Sequence, residues 1–199
     1  MKTGILGGSF NPPHNGHLYL GEQMRNELSL DRILVIPTAK SPHKSDIDSA
    51  PDTDRLEMCA LLFADSFYTV SDLELRRGGK SYTVDTMREL KRMHHEDDFY
   101  LLVGSDMLLY FDKWYKWQEI LSLCTLCSFA RDDNHSAEEM KAYARETLNS
   151  EKVRIFDAPP REISSTRIRD MLANGMDTDG LLPRDLADYI KKKGLYIQS

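Results

Sequence analysis

The sequence predicts a doubly wound parallel α/β sheet, and three observations carry that expectation. Strand-like and helix-like segments alternate almost to the C-terminus. Two apolar runs, Arg32-Ile33-Leu34-Val35-Ile36 and Phe99-Tyr100-Leu101-Leu102-Val103, are continuous rather than alternating, which suits strands covered on both faces. A first short strand leads straight into a glycine-rich turn and a helix through Gly7-Gly8-Ser9-Phe10-Asn11-Pro12-Pro13-His14-Asn15-Gly16-His17. Right-handed crossovers put helices on both faces of such a sheet. Ligands then bind beyond the carboxyl ends of the strands, where the strand order reverses.

The first strand is expected near Lys2 to Leu6, followed by a helix from about Gly16 to Leu28. The second, Arg32 to Ile36, is stopped by Pro37, and a loop with Pro42, His43 and Lys44 follows. A helix begins near Asp52 or Thr53, with Leu56, Cys59, Ala60 and Phe63 at the spacing of one apolar face. A third strand is expected over Tyr68 to Leu75, then the turn Arg76 to Lys80 and a helix from Thr83 to Met93. The fourth strand ends at Gly104, and two short helices, the second rich in aromatics, cover Asp106 to Leu121. A fifth strand near Thr125 to Ala130, a polar helix from Ser136 to Leu148 and a sixth strand from Lys152 to Phe156 follow. Helices near Ser165 to Asn174 and Arg184 to Lys192 close the chain, with Gly175 and Gly194 at positions suited to C-caps.

The 199 residues suit a single domain spanning 1–199, with no linker, repeat or low-complexity tract. No apolar run reaches the ~18 residues of a membrane span. The N-terminus enters a strand at once, without a signal peptide, so a cytoplasmic protein is expected. The net charge of −6 disfavours nucleic acid as a partner, so phosphorylated ligands would need a local basic site. Three cysteines do not make a disulfide framework. Cys124 and Cys127 have C-x-x-C spacing but lie in the apolar stretch Leu121 to Phe129, which reads as buried strand and core. Asp132, Asp133, Asn134, Glu138 and Glu139 read as solvated surface, and Lys191 to Lys193 as a helix end favouring the dipole.

The chemistry concentrates in the first turn. Glycines let backbone amides approach a phosphate, and a helix start adds a favourable dipole. His14 and His17 place two imidazoles at the mouth of that helix. The turn has neither the lysine and spacing of a Walker loop nor G-x-G-x-x-G, so it is a phosphate cradle of a third kind.

Gly8-Ser9-Phe10-Asn11-Pro12-Pro13-His14-Asn15-Gly16-His17 resembles the G-x-F-x-P-x-H-x-G-H signature of the nucleotidyltransferase superfamily. Ile163-Ser164-Ser165-Thr166-Arg167-Ile168-Arg169 resembles its I-S-S-T-x-x-R motif. Three inner segments resemble the nicotinate-nucleotide adenylyltransferases in particular: Pro37 to Lys44 ending in P-H-K, Gly79 to Thr86, and Gly104-Ser105-Asp106 with Lys113-Trp114-Tyr115. The closing helix, Tyr189 to Tyr196, is similar to that family's as well, so the resemblance runs along the whole chain. Ser105 departs from the alanine or glutamine often found there.

The resemblance implies a Rossmann-like sheet with C-terminal helices and adenylyl transfer from ATP to nicotinic acid mononucleotide. By it, His17, His14 and Arg169 are catalytic. Gly8, Ser9, Phe10, His14, Gly16, His17, Gly104, Asp106, Ile163, Ser165, Thr166 and Arg169 bind ATP. Ser9, Phe10, Lys44, Thr83, Trp114 and Tyr115 bind the mononucleotide, with Trp114 on the pyridine and Trp117 in the core or at the rim. Three bland readings stand beside these: Lys44 as a solvated loop lysine, Trp114 as core, and Asp106 as a helix cap. Mg²⁺ is expected to bridge ATP phosphates, with no metal site of the protein's own. The partners expected are ATP and the mononucleotide, with no membrane, in a monomer or homodimer. Nicotinamide mononucleotide and 4′-phosphopantetheine are the alternative acceptors, and a nucleotide sensor without catalysis is the reading from another class.

Overall fold

A computed structural model describes residues 1–42, 49–130, 135–157 and 163–197. Among these residues the strands are β1 (Lys2–Gly8), β2 (Arg32–Pro37), β3 (Tyr68–Val70), β4 (Asp98–Val103), β5 (Thr125–Ala130) and β6 (Val153–Asp157). All neighbouring pairs are parallel, in the order β3-β2-β1-β4-β5-β6. The order therefore reverses between β1 and β4, which places a crevice beyond Gly8 and Val103.

The helices are α1 (Asn15–Leu28), α2 (Asp52–Leu62), α3 (Leu73–Arg77), α4 (Thr83–Met93), α5 (Ser105–Leu108), α6 (Trp117–Leu123), α7 (Ala137–Glu146), α8 (Ser165–Ala173) and α9 (Arg184–Lys193), with a 3₁₀ turn at Phe111–Lys113. Successive side chains of a strand point to opposite faces. Ile5, Leu34, Ile36, Leu101 and Val103 accordingly share one buried cluster with Val84, Met87, Leu108, Ile120 and Met140. Leu6, Ile33, Val35 and Leu102 share the other with Met24, Met58, Cys59, Ile168, Leu186 and Ile190. The sheet is thus covered by α4 to α7 on one side and by α1, α2, α8 and α9 on the other, which explains the continuous apolar strands.

Three expectations need correction. The strand expected over Tyr68 to Leu75 stops at Val70, and Leu73–Arg77 is helical. Ser71 donates to the Val35 carbonyl at 2.9 Å. The next rung of a parallel ladder would need an N–H from residue 37, and Pro37 has none. Leu73 and Leu75 mimic a strand by alternating, yet the buried Leu73 does its packing from a helix.

The apolar face expected for α2 is also offset. Its buried residues are Asp54, Arg55, Met58, Cys59 and Leu62, whereas Ala60 is exposed and Leu56 half-buried. A charged side chain enters the core there because specific acceptors meet it. Finally, Leu121 to Leu123 belong to α6 rather than to a strand, and Cys124 is the C-cap of that helix. Cys59, Cys124 and Cys127 are free and buried, and burial pushes the thiols of Cys124 and Cys127 up to about 12. They are core residues. Gly194 closes α9 in the left-handed region (φ 63°), and Gly175 does the same just past α8 (φ 64°). His43, Lys44, Asp132, Asp133 and Asn134 lie outside the described residues.

Candidate active site

The loop between β1 and α1 is built from its carbonyls outward. Arg55, only 2% exposed, donates Nη1 to the Ser9 carbonyl at 2.7 Å. Its Nη2 reaches Asp52 Oδ1 at 2.6 Å. Arg169 Nη1 donates to the Asn11 carbonyl at 2.8 Å, and the Ser165 hydroxyl donates to the Pro12 carbonyl at 2.8 Å. Loop carbonyls that would repel a phosphate are therefore occupied by donors from α2 and α8. The two motifs at the ends of the sequence are bonded to each other rather than merely close.

Phe10 anchors the loop from below. It is 1% exposed, has φ 47°, and packs its ring edge-on against His17 at 5.0 Å between centroids and against Phe63 at 6.1 Å. Its side chain is core, so the expected contact of Phe10 with either nucleotide cannot come from an exposed ring. A left-handed φ in a non-glycine residue is costly, and this burial offsets the cost.

His14 is the N-cap of α1 and is 5% exposed. Its backbone N–H donates to His17 Nδ1 at 3.2 Å. A nitrogen that accepts carries no proton, so that bond assigns His17 the tautomer with hydrogen on Nε2. The two rings lie 3.8 Å apart at 33°. Gly16 is needed here: a Cβ would meet His14 Nδ1 at 3.0 Å and Ile163 Cβ at 3.3 Å. Ser164 caps α8, its hydroxyl accepting from Arg167 N at 3.2 Å.

A cavity of about 660 Å³ opens at the reversal of strand order. Its lining brings together Gly8, Ser9, Phe10, His14, Gly16 and His17 from the first turn with Ile163, Ser165, Thr166 and Arg169 from the start of α8. Gly104 and Asp106 line it after β4, and Thr83, Trp114 and Tyr115 line its other flank. Every site residue expected from the sequence thus lines one cavity, except Lys44, which lies outside the described residues.

Asp106 is not the cap of α5. Gly104 holds that position and Asp106 lies exposed in the first turn. A Cβ on Gly104 would come 2.7 Å from Asp106 Oδ1, so the glycine makes room for the carboxylate. Trp114 packs on Phe111 at 5.1 Å while lining the cavity, and Tyr115, 55% exposed, packs on Tyr82 at 5.1 Å. Trp117 joins the core and is not part of the lining.

Sequence reasoning missed the supports of this site. Arg55 and Glu74 belong to no motif, while Asn11 and Thr86 stand inside motif segments that gave them no role. Asn11 Oδ1 accepts from Ala50 N at 3.0 Å and from the Tyr196 hydroxyl at 2.7 Å. Thr86 donates its hydroxyl to the buried Glu74 at 2.6 Å and accepts from Arg77 at 2.8 Å, at the aromatic flank of the cavity. The available signal for Arg55 was its place in the first turn of a helix, three and four residues before Met58 and Cys59 on the same face.

Comparison with known proteins agrees with this geometry. A family profile described as cytidylyltransferase-like matches residues 5–171. A protein of Dehalococcoides mccartyi named a probable nicotinate-nucleotide adenylyltransferase is 35% identical, covering 98% of this chain and 97% of its own length. One of the same name from Geobacter metallireducens is 36% identical, covering 98% of both. Nicotinic acid mononucleotide adenylyltransferase of Plasmodium falciparum, solved with NaAD, superposes with a TM-score of 0.81 at 21% identity, covering 98% of each chain. That last likeness bears on the fold alone. Together with the full-length relatives, the two linked motifs place this chain in the nicotinate-nucleotide adenylyltransferase family, within the cytidylyltransferase-like group.

Proposed function

We propose that the protein transfers the adenylyl group of ATP to nicotinic acid mononucleotide, forming nicotinic acid adenine dinucleotide and pyrophosphate as a step of NAD biosynthesis. One observation carries the reading. A single cavity holds a histidine pair on a phosphate-type turn, a helix start with Arg169, and a flank bearing Trp114 and Tyr115. Phosphates and a flat aromatic base have their natural partners in one space.

The attacking group is a phosphate monoester, largely dianionic at neutral pH because its second pKa is ~6. It needs no general base. The protein's task is to align the two substrates and to stabilise charge as it develops. His17 Nε2–H serves the α-phosphate, and His14 orients the ATP phosphates. Arg169 and the amides at Ser165 and Thr166 take the β- and γ-phosphates, at the positive end of α8. Asp106 holds the nucleotide ribose, Ser9 and the Phe10 backbone serve the mononucleotide phosphate, and Lys44 is the further contact that the family resemblance implies. Trp114 stacks on the pyridine, while Thr83 and Tyr115 hold its carboxylate.

Mg²⁺ neutralises phosphate charge when it arrives with ATP. Among the described residues no group of three or more His, Cys, Asp or Glu could hold a metal; a Mg²⁺ carried in with ATP would be held by the nucleotide's phosphates. No described helix is long and apolar enough to cross a membrane. Our reading is a cytoplasmic monomer or homodimer with nucleotides as its partners.

The test is pyrophosphate release with ATP and Mg²⁺, comparing nicotinic acid mononucleotide with nicotinamide mononucleotide. Strong preference for the acid supports the proposal. Equal use of both removes the specificity, and release with neither removes the reaction.

A further inference from the structure

The closing segment of the chain is tied to the catalytic turn by one short hydrogen bond. The Tyr196 hydroxyl donates to Asn11 Oδ1 at 2.7 Å, across 185 residues of sequence. That oxygen also accepts from Ala50 N at 3.0 Å, while the Asn11 carbonyl accepts from Arg169 at 2.8 Å. Asn11 is therefore held from several directions, and His14 follows it by three residues.

Tyr196 is itself held for this contact. It adopts φ 63°, a left-handed conformation rarely taken without glycine, just after the C-cap Gly194. Leu195 N donates back to the Ile190 carbonyl at 3.1 Å. Leu186 and Ile190 bury α9 in the core. Tyr189 donates to Asp54 Oδ1 at 2.6 Å, and Lys193 Nζ lies 3.2 Å from the same oxygen. Burial pushes the Tyr196 hydroxyl well above its ordinary range, so it remains a protonated donor across neutral pH.

We propose that Tyr196 is a positioning residue for adenylyl transfer, acting through Asn11 to hold the turn that carries His14 and His17. It is not among the residues that line the cavity. The proposal rests on the function given above and adds a residue from the last helical segment to the reaction. A loop freed by a fraction of an ångström loses alignment in the transition state more than it loses ground-state binding. The signature is therefore a fall in kcat with little change in KM for the mononucleotide.

The test compares Tyr196→Phe with Tyr189→Phe in the full chain. Both remove one hydroxyl bond from the same C-terminal segment, but Tyr189 bonds to α2 and not to the turn. The expected result is about a tenfold lower kcat for Tyr196→Phe, KM for the mononucleotide within twofold, and kcat within twofold for Tyr189→Phe. A kcat for Tyr196→Phe within twofold of the unaltered protein overturns the proposal. So do equal losses of kcat in the two variants, which would mark a structural role only. If the unaltered protein releases no pyrophosphate, the function fails rather than this inference. The ¹⁵N shifts of the His14 and His17 rings then decide it: a change in Tyr196→Phe alone supports it, and unchanged shifts, or equal changes in both variants, overturn it.

Discussion

His17→Ala separates catalysis from folding, because the structure assigns different atoms to each. Nδ1 accepts the His14 N–H at 3.2 Å and belongs to the helix start. The proposed reaction uses Nε2–H on the α-phosphate. Losing one cap-type bond costs about 1 kcal/mol. For a chain of this length that lowers Tm by roughly 2–4 °C. Losing one donor to charge that develops in the transition state costs about 2.7–4 kcal/mol, or 10²- to 10³-fold in kcat. The expected variant is folded, slightly less stable and hundreds of times slower. Pyrophosphate release at saturating substrates gives kcat, and a thermal melt gives Tm. His17→Gln, which can present an N–H near the position of Nε2, should recover part of the loss. The ¹⁵N shifts of the unaltered ring should show the proton on Nε2. A kcat within threefold of normal would refute the catalytic assignment. A fall in Tm of more than about 10 °C would refute the claim that the ring is separable from the fold.

Three further predictions follow from the same geometry. Trp114→Phe keeps a ring but reduces its face, so KM for the mononucleotide should rise about two- to tenfold while KM for ATP stays within twofold, matching the ~0.5–1.5 kcal/mol of an aromatic pair. Asp106 stands exposed in the first turn of α5, so Asp106→Asn should raise KM for ATP several-fold with stability changed by under about 0.5 kcal/mol; a changed Tm with an unchanged KM would assign it to the helix alone. Asp97 accepts from Thr3 Oγ1 at 2.7 Å and from Arg32 at 2.9 Å. Burial acts to raise its pKa, but the bonds from Thr3 and Arg32 outweigh it and hold the group below its ordinary 3.8. A lowered folded pKa means stability that is present above 3.8 and lost as pH falls through the folded value. Asp97→Asn should therefore cost about 1.5–3 kcal/mol near neutral pH, and urea melts should show the difference shrinking below about pH 4; a difference independent of pH would refute the ionic account.

Much of this protein is legible locally. Pro37 as a stop, Gly194 as a cap and the runs at Arg32 and Phe99 are properties of a few neighbouring residues, and neighbours are what a sequence displays. Where alternation misled, at Leu73 and Leu75, the deciding fact was a missing N–H on Pro37 in the partner strand. Arg55 was legible as a charge and not as a buried one, because its acceptor, the Ser9 carbonyl, lies on another element.

The cavity divides in the same way. The sequence alone determined which chemical groups are present: two imidazoles on a glycine turn, a Ser-Ser-Thr helix start with its arginine, and a tryptophan-tyrosine segment. Motif order and spacing suffice for that, since each group is held within a single short stretch of chain. Only the tertiary structure decided that β1 and β4 are neighbours, which opens the crevice, and that Arg55, Ser165, Arg169 and Tyr196 converge on two successive residues of one turn, Asn11 and Pro12, and on the Ser9 carbonyl two before them. Those bonds join residues 46 to 185 positions apart. Their geometry depends on how the two faces of the sheet are packed, and no local pattern encodes that.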